Sequence, residues 1–215
     1  MNKLLNLALL WCLANSATAS EIELEKIHKE IDSVALERGV EALMADCHSC
    51  HSLKYVKYRD LIQMGLDKRK VDALRGEQLM DAPMMAEMPE SDAIQSFGKA
   101  PPDLSLMVKA REGGDRYVYS YLLGYYTKPD GMLGNHIYPE TRMPDPLGIA
   151  GATGTEQRVA IQGRARDIVS FLDWAADPHE VERLHLGNYV LAYLFVLTTL
   201  LYLVKQQIWS GLRRE

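Results

Sequence analysis

The run Cys47-His48-Ser49-Cys50-His51 constrains this chain more than any other stretch of it. It has the C-x-x-C-H spacing by which a c-type haem is attached. Two thiols two residues apart can each add to a vinyl group of one porphyrin. The adjoining imidazole of His51 then reaches the iron from the proximal side. A chain loaded in this way has to wrap a flat macrocycle, so its fold must leave a slot for one. A closed zinc site wants about four ligands, and no second cysteine pair is present to complete it. A thioredoxin-like redox pair wants a βαβ context, which the neighbouring sequence lacks. A structural disulfide is the third alternative. His48, inside the loop, reads as a solvent-facing spacer.

Attachment of this kind needs export, and the N-terminus reads as the export signal. Lys3 supplies a basic start, Leu4 to Leu13 an apolar run, and Ala17-Thr18-Ala19 an A-x-A cleavage site. Residues 1–19 are therefore expected to leave as a signal peptide, taking Cys12 with them. Only Cys47 and Cys50 would then remain, both committed to haem. A second apolar run, Leu186 to Val204, holds no charged residue and is long enough to cross a bilayer as a helix. Tyr189, Tyr193 and Tyr202 lie towards its ends, where amphipathic rings favour the interface. Lys205, Arg213 and Arg214 follow, which places residues 205–215 in the cytoplasm by the positive-inside rule. The expected division is a signal peptide over 1–19, a periplasmic haem domain over 20–185, a transmembrane helix over 186–204 and a cytoplasmic tail over 205–215.

Charge divides along the same lines. Losing residues 1–19 removes one basic residue and leaves 23 basic against 29 acidic. The tail holds three basic residues and one acidic, so residues 20–204 carry 20 basic and 28 acidic, a net of −8. An exported surface of that sign favours basic partners and argues against nucleic acid.

Most of residues 20–185 reads as helix. Val40, Leu43, Met44 and Cys47 recur at i, i+3, i+4 and i+7, so the haem motif closes a helix whose apolar face meets the core. Asp115 is placed to cap a helix carrying Val118, Tyr121, Leu122 and Tyr125. A third helix runs from about Glu156 to Ala176, with Ile161, Ala165, Ile168, Leu172 and Ala175 on one stripe, and Asp177-Pro178 stops it. Gly/Pro-rich loops, Phe97 to Pro102 and Thr127 to Gly154, separate these helices, and few segments alternate like strands. The expected architecture is all-α, with the long loops wrapping the haem.

An electron carrier usually fills the sixth iron site, most often with Met or His, and Met raises the potential. Met88 and Met143 each precede a proline, which forces an extended backbone and presents the side chain. Met143 is favoured because an amphipathic helix follows it, which can return to pack on the helix that ends at the haem motif. Met88 and His136 remain rivals. The Met80 to Met88 cluster could instead hold Cu(I) through its thioethers, and any single methionine may be core filler.

Several segments together resemble the cytochrome c1 family. Arg38-Gly39 leading to Cys47-His48-Ser49-Cys50-His51-Ser52-Leu53-Lys54-Tyr55 resembles its haem segment. So do Ala100-Pro101-Pro102-Asp103-Leu104-Ser105, Lys109-Ala110-Arg111 and Gly113-Gly114-Asp115-Arg116-Tyr117. Tyr138-Pro139 with Met143-Pro144 is similar to its axial-methionine loop, and Phe171 to Pro178 before a single C-terminal span completes the order. The resemblance implies a class I cytochrome c-like haem domain with one C-terminal transmembrane helix. It implies one covalent haem c on Cys47 and Cys50, with His51 and Met143 as axial ligands. Pro101 and Pro102 would pack on the macrocycle, and Arg111 with Tyr117 would bind a propionate, a pairing that suits a guanidinium.

The function implied is that of an electron-transfer subunit rather than an enzyme by itself. It would accept electrons from a Rieske iron–sulfur subunit, reduce a cytochrome c, and sit in the inner membrane beside a cytochrome b subunit. Two departures stand out: Arg142 occupies a position where the family often has a small residue, and the loop from Thr127 to Met143 is short. Two other readings share the haem motif, a membrane-tethered cytochrome c serving a terminal oxidase and a haem-based gas or redox sensor.

Overall fold

The computed structural model describes residues 23–212, so the expected signal peptide and the last three residues of the expected tail lie outside the described residues. The core is built on two crossing helices. Helix α1 (Ser33–Asp46) begins at Asp32, whose carboxylate accepts the Val34 and Ala35 amides at 3.0 and 3.1 Å, satisfying two donors of the first turn. After it come strand β1 (Leu53–Lys57), helices α2 (Tyr58–Met64) and α3 (Lys68–Arg75), and the two-residue strand β2 (Pro83–Met84). Helices α4 (Glu90–Phe97), α5 (Met107–Ala110) and α6 (Gly114–Leu123) lead to the hairpin β3 (Tyr125–Thr127) and β4 (Leu133–Asn135). A loop then runs to α7 (Thr155–Ala176), and α8 (Glu180–Leu212) ends the described chain.

The crossing of α1 on α7 is close because of one glycine. A Cβ placed on Gly39 would come within 2.7 Å of the Phe171 Cβ, so only the bare backbone lets the helices meet. The expected stripe on α7 is the buried one: Ile161, Ala165, Ile168, Leu172 and Ala175 are all buried. Val40, Leu43 and Cys47 face it from α1. Around the apolar contact lies a polar belt. Arg38 grips the buried Asp167 with two hydrogen bonds of 2.8 and 3.2 Å. Lys29 bridges Asp173 at 2.6 Å and Asp115 at 3.1 Å, tying the segment before α1 to both α6 and α7.

Two expectations need correction. Asp115 does not cap α6: Gly113 occupies that position, in the left-handed conformation, and Asp115 sits in the first turn, where its charge still complements the helix dipole. Tyr125 lies in β3, just past Gly124, which closes α6. The fold is mainly helical, as expected, and adds only two short antiparallel strand pairs among the described residues, β1 with β2 and β3 with β4. Strands of two to five residues are too short for alternation to register in a sequence.

Helix α8 is longer than its apolar run. It starts six residues before Leu186 and continues eight past Val204, because Glu180, Glu182 and Arg183 at one end and Lys205, Gln206 and Gln207 at the other sustain helical geometry with polar side chains. The most apolar 18 residues within Glu180–Ser210 have a mean hydropathy of 1.7, and none of them is buried among the described residues. Its 33 residues extend about 50 Å at 1.5 Å rise, more than a hydrocarbon core of about 30 Å needs.

Candidate haem site

The C-terminus of α1 does not unravel into the haem motif but turns tightly. The Cys47 and His48 amides both donate to the Leu43 carbonyl, at 2.9 and 3.0 Å, and the Cys50 and His51 amides both donate to the Cys47 carbonyl, at 3.1 and 2.9 Å. This one turn brings Cys47, Cys50 and His51 onto the wall of a single cavity of about 400 Å³. Much of the wall is apolar: Leu104 from the strap that runs over residues 101–105, Met107 from α5, Val118 and Leu122 from α6, Ile168 and Leu172 from α7.

His51 is held in one tautomer. Its Nδ1 lies 2.8 Å from the Pro102 carbonyl, and since a carbonyl only accepts, the hydrogen sits on Nδ1 and the Nε2 lone pair is left free for a metal. Burial also lowers the His51 pKa, keeping the ring neutral as a ligand must be. Pro102 is pinned in turn by the chain that follows it. Leu104 donates to the Ser52 carbonyl at 2.9 Å, the Asp103 carboxylate accepts the Lys54 amide at 2.8 Å, and the buried Ser105 hydroxyl accepts the Tyr55 amide at 3.1 Å. Asp103 and Ser105 carry the strap, a role no local motif announces.

The two thiols differ. Cys47 is buried, and desolvation first, then the neighbouring Asp46, push its pKa up to about 12, so it is a neutral thiol at physiological pH. Cys50 is half-buried, and neither it nor Cys47 forms a disulfide among the described residues. Asp46 is engaged by Arg164 across the α1–α7 crossing. His48 is buried rather than solvent-facing, with its Nδ1 lacking any partner among the described residues. Burial lowers its pKa as well. The tight turn after Leu43 folds that side chain inward, which an extended loop would not do.

Met143 lines the same cavity. Its amide donates to the Thr141 hydroxyl at 3.2 Å, and that hydroxyl lies 2.6 Å from the Tyr121 phenol oxygen. The Tyr121 hydroxyl reaches the Met143 sulfur at 3.7 Å and accepts from the Tyr125 hydroxyl at 3.0 Å. Below Met143 the loop is locked by Asp145, whose carboxylate accepts the amides of Leu147, Gly148 and Ala150. Irregular backbone is thus held as firmly as a helix would be. Met107 is the other methionine on the cavity wall.

The rivals stay outside. His136 is exposed and stacks on Tyr126, ring centroids 4.2 Å apart. Met88 does not line the cavity, and its amide donates to the Ser49 carbonyl at 2.9 Å. The methionine cluster is divided, since Met84 is fully buried in the core and Met85 is exposed.

Pro101, Pro102, Arg111 and Tyr117 all line the cavity. So do two cations that the motif did not single out as ligands of a carboxylate, Lys99 and Arg142. Lys99 sits over the Tyr138 ring at 5.4 Å, and Arg142 donates to the Phe97 carbonyl at 3.2 Å. Three cations against the single acid Asp46 suit the two carboxylates that a haem presents at its edge. Two thiols, one oriented imidazole and two methionine thioethers on a largely apolar wall edged by cations are a donor set that fits an iron porphyrin.

A helical fold around such a slot, continued into one apolar helix, defines the class of membrane-anchored c-type cytochromes. The comparisons are specific within that class. Residues 22–212 match the model of the Cytochrome C1 family. Cytochrome c1 of Allochromatium vinosum is 31% identical over 212 residues, covering 83% of this chain and 85% of the relative. Cytochrome c1 of Rhodospirillum rubrum is 30% identical over 226 residues, covering 85% and 83%. The mitochondrial cytochrome c1 heme protein of Neurospora crassa is 32% identical, covering 86% of this chain but 64% of the longer relative. The chain belongs to the cytochrome c1 family. As a member it carries covalent haem c and is a membrane-anchored electron-transfer subunit of the bc1 complex in the respiratory chain.

Proposed function

We propose that this subunit takes single electrons from the Rieske iron–sulfur subunit and passes them to a cytochrome c, without being an enzyme by itself. In this reading Cys47 and Cys50 form the two thioethers, and His51 and Met143 are the axial ligands. The observation that carries it is the His51–Pro102 hydrogen bond, which leaves Nε2 free on a cavity that Met143 also lines.

The bound haem supplies a one-electron couple. The protein's part is to hold the ligands, exclude water and set the potential. The turn at Leu43 to His51 fixes the proximal side, and the Asp145-braced loop fixes the distal side. Pro101 and Pro102 pack on the ring, while Arg111 and Tyr117 hold a propionate at the open edge. Helix α8 crosses the inner membrane once and packs on the cytochrome b subunit, with the haem domain in the periplasm and residues 205–215 in the cytoplasm. The span lies within 186–204, and residues 1–19 are removed on export.

Purification in mild detergent with optical spectra tests the reading. Haem c accompanied by haem b and a Rieske centre is the expected result; haem c alone would overturn the assignment to the reductase complex. Substituting Met143 should abolish the methionine–iron charge-transfer band, and its persistence would exclude Met143 as the ligand.

A further inference from the structure

We propose that Tyr121 tunes the reduction potential of this site by donating its phenolic hydrogen to the Met143 sulfur. The inference rests on Met143 being the axial ligand and adds a residue that acts through it.

Three hydroxyl groups and one sulfur meet at this point. Tyr125 donates to the Tyr121 oxygen at 3.0 Å, and burial raises the Tyr125 pKa, so that donor keeps its hydrogen. Thr141 lies 2.6 Å from the same oxygen while its own oxygen already accepts the Met143 amide. A threonine hydroxyl that accepts the Met143 amide can still give its own hydrogen to Tyr121, and with Tyr125 also donating to that oxygen the phenol's one hydrogen goes to the Met143 sulfur at 3.7 Å. A thioether has a lone pair for the iron and a second for a weak hydrogen bond.

The ring cannot swing away. It lies nearly parallel to Tyr117, centroids 6.4 Å apart, and edge-on to Tyr125 at 5.6 Å. Its backbone is held too. The buried Asn135 donates to the Tyr121 carbonyl at 2.8 Å, while its own side-chain oxygen accepts the Ile137 and Tyr138 amides. Helix α6, the β3–β4 hairpin and the methionine loop thus converge on one phenol.

A hydrogen bond to a ligand sulfur draws electron density from it, so the sulfur donates less to ferric iron and the ferrous state gains. Tyr121→Phe removes one oxygen and keeps the ring. Redox titration of the haem c band in the purified complex should show a ferrous-to-ferric ratio lowered about three- to tenfold at fixed ambient potential. That is about 30 to 59 mV for one electron, with the methionine–iron band retained. A midpoint unchanged or raised, with that band retained, overturns the proposal. Tyr125→Phe leaves the direct bond in place and removes only its polarisation, so it should give a smaller drop in the same direction. A drop as large as that of Tyr121→Phe, or none, overturns it, and this variant decides the matter alone if Tyr121→Phe does not load haem. A Met143→Ala protein measured in parallel separates the two readings. Loss of its methionine–iron band with an unshifted Tyr121→Phe midpoint sinks the tuning role alone, and persistence of the band sinks the ligand assignment beneath it.

Discussion

Gly39→Ala sets two opposing effects against each other on the helix that delivers the haem motif. In an exposed helix interior, alanine in place of glycine stabilises by about 0.5–1 kcal/mol. At Gly39 the new methyl would meet the Phe171 Cβ at 2.7 Å, and the Asp167 carbonyl lies closer still. Backbone and a Cβ cannot rotate aside as a long side chain would, so α1 and α7 must separate. With a backbone carbonyl and a Cβ both in the way, the cost lies in the upper part of the overpacking range, about 2–3 kcal/mol, and it wins over propensity by about 1–2 kcal/mol. For a domain of this size that corresponds to a Tm lower by about 2–8 °C. Gly163, inside α7, is the matched control, because nothing lies within 4 Å of a Cβ there. Gly163→Ala should raise Tm by about 1–4 °C from propensity alone. Both proteins would be followed by circular dichroism, haem-loaded, in the same detergent and at one scan rate. If Gly39→Ala melts at or above the wild-type temperature, the close crossing of α1 and α7 is wrong.

Three further outcomes are expected. His48 is buried and its folded pKa is held below 6.5 by desolvation, so below pH 6.5 the unfolded chain takes up a proton the folded chain refuses. Its contribution is present above pH 6.5 and lost as pH falls; denaturant titrations of the holoprotein should show a shallower acid-side slope for His48→Gln, and an identical slope would refute this. Asp32→Ala removes the cap of α1 and should cost about 1 kcal/mol in urea unfolding; no change would mean the cap is dispensable. Arg142→Gln removes a cation from the cavity wall and should lower the midpoint by on the order of tens of mV, since positive charge nearby favours the ferrous state. A midpoint that rises would place the guanidinium's effect elsewhere.

The parts legible beforehand were those with a period or a chemical spacing. The α7 stripe was readable because five apolar positions recur at helical intervals over 22 residues. The haem motif was readable because covalent attachment demands its spacing, and the C-terminal helix because a bilayer demands an uncharged run. The β3–β4 hairpin was not, since three-residue strands carry too little pattern. Nor was the burial of His48, which depends on two amides sharing the Leu43 carbonyl.

At the site, Cys47, Cys50 and His51 are adjacent in the chain, so their grouping needed no tertiary information. Knowing which of Met88, His136 and Met143 lines the cavity did. All three sit in loops, and only the path of the chain past α6 brings Met143 to the cavity while His136 turns out onto Tyr126. Tyr121, Thr141, Asp103 and Ser105 are ordinary residues in sequence, and their roles are created by partners 2 to 50 positions away. The sequence by itself determined which group this protein carries, because covalent chemistry and membrane thickness act on neighbouring residues. The tertiary structure decided how that group is held, because hydrogen-bond direction and close packing exist only between segments brought together by folding.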